Sequence, residues 1–169
     1  DDAGALGNLG SAHYMLGEFE EAAEAWRRSA ELEPSGSNYM NLGTMYYFLG
    51  RYAESVEMYQ RALTYTPEYF LSWGNLGDAW SQIEGGEAEA RAAYLQAIQL
   101  GEALLAVNPS DVEALGAMAH YHARVGDMAR AYEFMDRAME LRAVRGSALV
   151  WVPLADGRRL TDTGRSLAG

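Results

Sequence analysis

Small and large side chains recur along this chain at intervals of four and then three residues. Ala22, Trp26 and Ser29 are followed by Ser55, Tyr59 and Ala62, by Ala90, Tyr94 and Ala97, and more weakly by Ala131, Met135 and Ala138. Positions spaced by three and four lie on one face of a helix. Each of these stretches is preceded by a second helical pattern with its own marker. Asn8-Leu9-Gly10, Asn41-Leu42-Gly43 and Asn75-Leu76-Gly77 are separated by 33 and then 34 residues, and Met118-Ala119 takes the place of Leu-Gly in a fourth copy. His13, Tyr46, Trp80 and His122 follow at a fixed offset, Gly17, Gly50 and Gly126 mark turns, and Pro34, Pro67 and Pro109 close the first three copies. A period near 34 in a helical sequence marks a repeat array whose units bury their apolar faces only by stacking.

The small residue after Leu and the small residue early in the second helix let two antiparallel helices approach closely. Tyr46, Trp80, Trp26 and Tyr59 then fill the space between successive hairpins. The third and fourth copies lie 42 residues apart, from Gly77 to Ala119, with one extra residue in the turn Glu84-Gly85-Gly86 and seven between Leu100 and Pro109. Seven residues are about two turns with only ~20° of drift, so a helix can lengthen without rotating its buried face. The spacing predicts one helix over Glu87 to Val107, about 30 Å long, with Leu104, Leu105 and Val107 continuing its apolar stripe. Ser110-Asp111-Val112-Glu113 reads as a capping box that starts the next helix near Asp111.

The combined pattern resembles that of the tetratricopeptide-repeat (TPR) family, W-x2-L-G-x2-Y, then A-x3-F, then a terminal Pro, over about residues 3 to 141. The resemblance implies an all-α, right-handed α-solenoid of about four helix-turn-helix units, at about 3–34, 35–67, 68–109 and 110–141.

Charge narrows the function. The net charge is −11, all thirteen basic residues are arginine, and cysteine is absent. A phosphate-backbone binder gains its affinity from clustered cations, so nucleic acid is not an expected partner. Thiol chemistry and disulfides are excluded by composition. No apolar run approaches the ~20 residues of a membrane helix, so membrane insertion is not expected. The start at Asp1-Asp2-Ala3, without Met or a basic-then-apolar leader, reads as a soluble fragment, with the cytoplasm favoured and the compartment otherwise open. No phosphate-loop signature is present. His120 and His122, two apart on a helix, point about 200° apart and cannot chelate one ion from one face. His13 and His122 read as core histidines in the aromatic slot. No nucleophile accompanies His120 and Asp78 at a recognisable spacing, so neither a catalytic residue, a cofactor nor a metal is expected.

In the TPR family the first helix of each hairpin lines a concave groove that holds extended peptides. The resemblance places Asn8, Ser11 and Tyr14, then Asn41, Thr44, Tyr47 and Phe48, then Asn75, Asp78 and Gln82, then His120 and Arg124 in such a groove. A side-chain amide both donates and accepts, so Asn8, Asn41 and Asn75 could bond the main chain of a ligand without reading its sequence. This is similar to the asparagine ladder of O-linked GlcNAc transferases. Tyr14, Tyr47 and Phe48 suit apolar anchors, or packing against the next helix. The carboxylate clamp that some family members use for chaperone termini is not expected: lysine is absent, and Gly7, Met40 and Gly74 stand where clamp residues would be sought.

Residues 142–169 break the pattern. They carry +3 against −14 for residues 1–141, and Ser147 to Leu154 is β-branched and aromatic, followed by the turn signal Asp156-Gly157. An extended strand or short hairpin is expected there, as is a role as ligand for the acidic groove of the same or a neighbouring chain. Two functions follow: a scaffold binding a protein or peptide segment, or a regulatory or assembly region of a larger signalling enzyme whose catalytic domain lies elsewhere.

Overall fold

The computed structural model describes residues 2–145. Among them are eight helices and no strand: α1 (Ala3–Leu16), α2 (Phe19–Leu32), α3 (Gly36–Phe48), α4 (Tyr52–Tyr65), α5 (Phe70–Trp80), α6 (Glu87–Val107), α7 (Val112–Arg124) and α8 (Met128–Arg145). The fold is all-α and belongs to the solenoid class of stacked hairpins. The chain divides into two compact units, Asp1–Ala97 and Ile98–Gly169, with the boundary along the sequence inside α6.

Local chemistry sets the helix ends. Asp2, Ser35 and Asp111 cap α1, α3 and α7 by accepting from the backbone N–H of Gly4, Asn38 and Ala114, which satisfies donors that a helix start leaves open. The cap of α7 is thus Asp111, one residue later than a box opened by Ser110. The turns after α1, α3, α5 and α7 each contain a glycine at positive φ, Gly17, Gly50, Gly85 and Gly126, with φ between 72° and 89°. A side chain is strained in that region.

In the first unit each first helix lies on a ring of the second. A Cβ added at Gly10 would stand 2.8 Å from the Trp26 ring, at Gly43 3.0 Å from Tyr59, and at Gly77 2.7 Å from Tyr94. All three rings are buried. They also join hairpins: Trp26 packs with Leu42 and Met45 of α3, and Tyr59 with Leu76 and Ala79 of α5. The small partners of the second helices serve hydrogen bonding as well as fit, since the Ser29 hydroxyl donates to the Ala3 carbonyl and that of Ser55 to the Gly43 carbonyl, both at 2.8 Å.

In the second unit α7 and α8 form the hairpin. Leu115, Met118 and Ala119 of α7 are buried with Ala131, Phe134 and Ala138 of α8. The buried large residue of α8 is Phe134, one position before Met135, which is only half-buried.

The predicted long helix is present from Glu87 to Val107, but its added turns do not carry a full apolar stripe. Leu105 is buried, whereas Leu104 is exposed and Val107 is 86 % exposed. Helix α8 runs to Arg145, past the unit end expected at 141. The strand or hairpin expected from Ser147 onward lies outside the described residues.

Candidate functional site

Asn8, Asn41 and Asn75 occupy equivalent places in α1, α3 and α5, each two residues before the glycine that meets a second-helix ring. Asn8 is exposed and the other two are half-buried. Their amides have no hydrogen-bond partner among the described residues, although the surrounding polar side chains do. Ser11 donates to the Gly7 carbonyl at 3.0 Å. The Thr44 hydroxyl bonds the Met40 carbonyl and the Tyr59 hydroxyl, both at 3.0 Å. The Tyr94 hydroxyl donates to an Asp78 carboxylate oxygen at 2.6 Å. Thr44 and Asp78 therefore hold the buried ring of their own hairpin, and burial pushes the Tyr59 hydroxyl up to about 12. Gln82 lies beyond the end of α5, in the turn, where its amide donates to the Ser81 hydroxyl at 3.2 Å.

The aromatic candidates of α1 and α3 come together. Tyr14 and Phe48 are near-parallel with centroids 6.1 Å apart, and Tyr47 meets Phe48 edge-on at 6.1 Å. Two rings outside the expected groove set join them: Phe19, 5.1 Å from Phe48 and 6.2 Å from Tyr14, and Tyr52, 5.5 Å from Tyr47. Both stand two residues after a turn glycine, 33 apart, so the repeat itself carried their signal. Tyr14 is 43 % and Phe48 49 % exposed, and beside Tyr14 the side chains of Met15 and Leu16 are exposed.

His13 is not a core histidine. It is part-exposed and its Nδ1 lies 2.6 Å from a Glu18 carboxylate oxygen. With Leu6, Leu9, Glu20, Glu21, Glu24, Ala25 and Arg28 it lines an open cavity of about 380 Å³ on α1 and α2. Within that wall, hydrogen bonding to Arg27 holds the Glu24 carboxyl below its usual value.

In the second unit His120 is half-buried and packs edge-on to Tyr121, and Arg124, the last residue of α7, is exposed. His122 is a core residue, stacked on Phe134 at 5.3 Å. A polar arrangement accompanies it. His122 Nε2 is 3.3 Å from Glu102 Oε1, which also accepts from Arg130 at 2.6 Å. Among the described residues no group of three acidic or histidine side chains is placed to hold a metal ion. No helix among them is long and apolar enough to cross a membrane.

Residues 1–68 match a family model described as tetratricopeptide repeat, and residues 40–102 match a second of the same description. The chain belongs to the tetratricopeptide-repeat family. Solved TPR structures share its fold. A crystal structure of MamA superposes with a TM-score of 0.58 at 19 % identity, over 85 % of this chain and 80 % of that one. MamA from residue 41 onward, from Desulfovibrio magneticus RS-1, gives 0.59 at 18 %, over 86 % and 78 %. The first TPR of Spaghetti (RPAP3), bound to the HSP90 peptide SRMEEVD, gives 0.57 at 14 %, over 86 % and 94 %. No curated protein sequence matches the chain. As TPR hairpins, α1 with α2, α3 with α4 and α5 with α6 present their asparagines in the first helix of each pair.

Proposed function

We propose that this TPR chain is a protein-binding module that holds an extended peptide segment along the first-helix faces of its hairpins, and that it works by binding rather than catalysis. The observation that carries this is the set of three amides, Asn8, Asn41 and Asn75. Each stands at the same place in its hairpin, Asn8 exposed and the other two half-buried, and none is used by the described part of the chain. An amide offers a donor and an acceptor, the pairing that one peptide unit needs. Repetition at hairpin spacing suits a ligand with its own backbone repeat. Ser11, Tyr14, Tyr47, Phe48 and Gln82 extend the proposed surface of the first unit, while Thr44 and Asp78 fix its buried rings; His120 and Arg124 stand on α7, the first helix of the hairpin in the second unit. The structurally similar RPAP3 domain with its bound peptide is consistent with such use of the fold. That peptide is acidic, however, and residues 1–97 of this chain carry 15 acids against 5 arginines. Like-signed charge disfavours an acidic ligand here. The basic segment 142–169 of a neighbouring chain has the opposite sign and is a natural competitor.

The test is a selection of binders to the full chain from a random decapeptide library, followed by titration of the best binder. Asn41→Ala with Asn75→Ala should weaken it about tenfold, the size of one to two lost hydrogen bonds, with the helical circular dichroism retained. Unchanged affinity would sink the amide reading. Deletion of residues 146–169 should tighten binding of the same peptide, and no change would remove the competitor.

A further inference from the structure

We infer that the ring cluster of Tyr14, Phe19, Phe48 and Tyr47 reads a cation, so that the bound segment presents an arginine to it beside aliphatic side chains. The inference rests on the peptide-binding reading above and names the chemistry of its ligand.

The rings form a continuous surface rather than scattered exposure. Phe19 and Phe48 lie within 19° of parallel and Tyr14 and Phe48 within 25°, and about half of Tyr14 and Phe48 faces solvent. A contiguous exposed apolar patch marks an interaction site more often than chance exposure does. The face of an aromatic ring is electrically negative and attracts a cation within about 6 Å. This chain seats its own guanidinium groups in that way: Arg51 lies 4.3 Å from the Tyr46 centroid, Arg61 5.8 Å from Tyr39, and Arg130 and Arg137 5.1 and 5.4 Å from Phe134.

Charge around the cluster has the matching sign. Glu18 and Glu20, both exposed, flank Phe19, and acids exceed arginines by ten over residues 1–97. The nearby Arg51 is already paired with Glu54. Glu18 already meets His13 and Glu20 attracts Arg51, yet the region keeps its negative sign, so a cationic ligand is favoured and an acidic one repelled. A guanidinium is planar and more weakly hydrated than an ammonium, so it stacks at lower desolvation cost. The exposed Met15 and Leu16 offer aliphatic contact beside it.

The probe is a synthetic peptide of residues 147–160, which carries Arg158 and Arg159 after Trp151 and Leu154, compared with the same peptide holding neutral citrulline at both arginine positions. Calorimetric titration of the full chain should give at least about tenfold tighter binding of the arginine peptide. The preference should disappear in the double variant Tyr14→Leu, Phe48→Leu, which keeps apolar bulk and removes the rings. Equal affinity for the two peptides, or no binding of either, overturns the inference. Asn41→Ala with Asn75→Ala separates it from the groove reading. If this variant weakens both peptides alike while arginine and citrulline bind equally to the native chain, the groove stands and the cation subsite falls. If the arginine preference survives the asparagine changes and is lost with the rings, the subsite stands and the amide reading falls.

Discussion

In the first three hairpins a glycine of the first helix lies against a ring of the second, whereas in the fourth Ala119 takes the glycine's place and the buried ring, Phe134, stacks on His122. The first arrangement is set by distance. Gly10 and Gly77 leave no room for a methyl group and Gly43 only a tight fit, and the hydroxyls of Tyr59 and Tyr94 are used by Thr44 and Asp78. In the second, polar pairing accompanies the stacked rings, with Glu102 bonded to Arg130 and close to His122. The difference shows what a repeat must keep. Where alanine stands in place of glycine, the buried ring lies one position earlier, at Phe134, and charged groups lie beside it.

The largest expected effect tests the close seam. Gly77→Val should destabilise the chain by about 3 kcal/mol, the upper part of the usual overpacking range, because even its Cβ falls 2.7 Å from the Tyr94 ring. Gly116→Ala is the control on α7. An added Cβ there meets nothing within 4 Å, so helix propensity alone should raise stability by about 0.5–1 kcal/mol. Denaturant unfolding measures both, and equal or reversed signs would show that the glycines mark sequence history rather than packing.

These two glycines also show what could be read in advance. Gly77 belongs to the Asn-Leu-Gly series, whose period disclosed the hairpins, the close seams and both ends of α6. The sequence pattern reached that far because each feature depends on residues a few positions apart. It fell short where the answer depends on which helices become neighbours. Phe134 and Met135 both suit the interior in composition, and only the rotation of α8 against α7 selects Phe134. His13 and His122 hold the same repeat position, yet His122 is enclosed by Phe134 while His13 opens onto the cavity of α1 and α2. The pairing of Glu102 with Arg130 joins residues 28 apart, so no local pattern announces it. For the candidate surface, the asparagines are legible as a series, whereas Phe19 and Tyr52 stand at the starts of second helices and join it only through the fold.

The next effect concerns the seam hydroxyl. Burial raises Tyr59 to about 12 from a usual value near 10. The unfolded chain therefore loses this proton first. The stability Tyr59 contributes is complete below about pH 10 and is lost as pH rises through about 12, at a slope approaching 1.4 kcal/mol per pH unit. Tyr59→Phe should flatten the alkaline limb of the stability curve while costing about 1 kcal/mol at neutral pH through the lost bond to Thr44. A variant that tracks the native curve between pH 10 and 12 would place the alkaline sensitivity elsewhere. Neither Trp26 of the first seam nor Phe134 of the fourth has a hydroxyl, so this sensitivity belongs to the Tyr59 seam rather than to hairpin packing in general.

The smallest effect tests the polar fastening of the fourth hairpin. Glu102 lies on the added turns of α6, and its carboxylate gathers Arg130 and His122 of α8 and α7. Glu102→Ala should cost about 1 kcal/mol, the upper end for part-exposed ion pairs. Glu57→Ala, which removes an i,i+4 pair with Arg61 on α4 alone, should cost under about 0.5 kcal/mol. Both losses should shrink in 1 M salt, where the Debye length is about 3 Å, and denaturant unfolding at low and high salt reads the difference. A Glu102 effect no larger than that of Glu57 would mean that the inserted turns lengthen α6 without fastening α7 and α8. A larger one, retained in part at high salt, would mean that the insertion supplies by charge what the Gly-ring contact supplies in the other three hairpins.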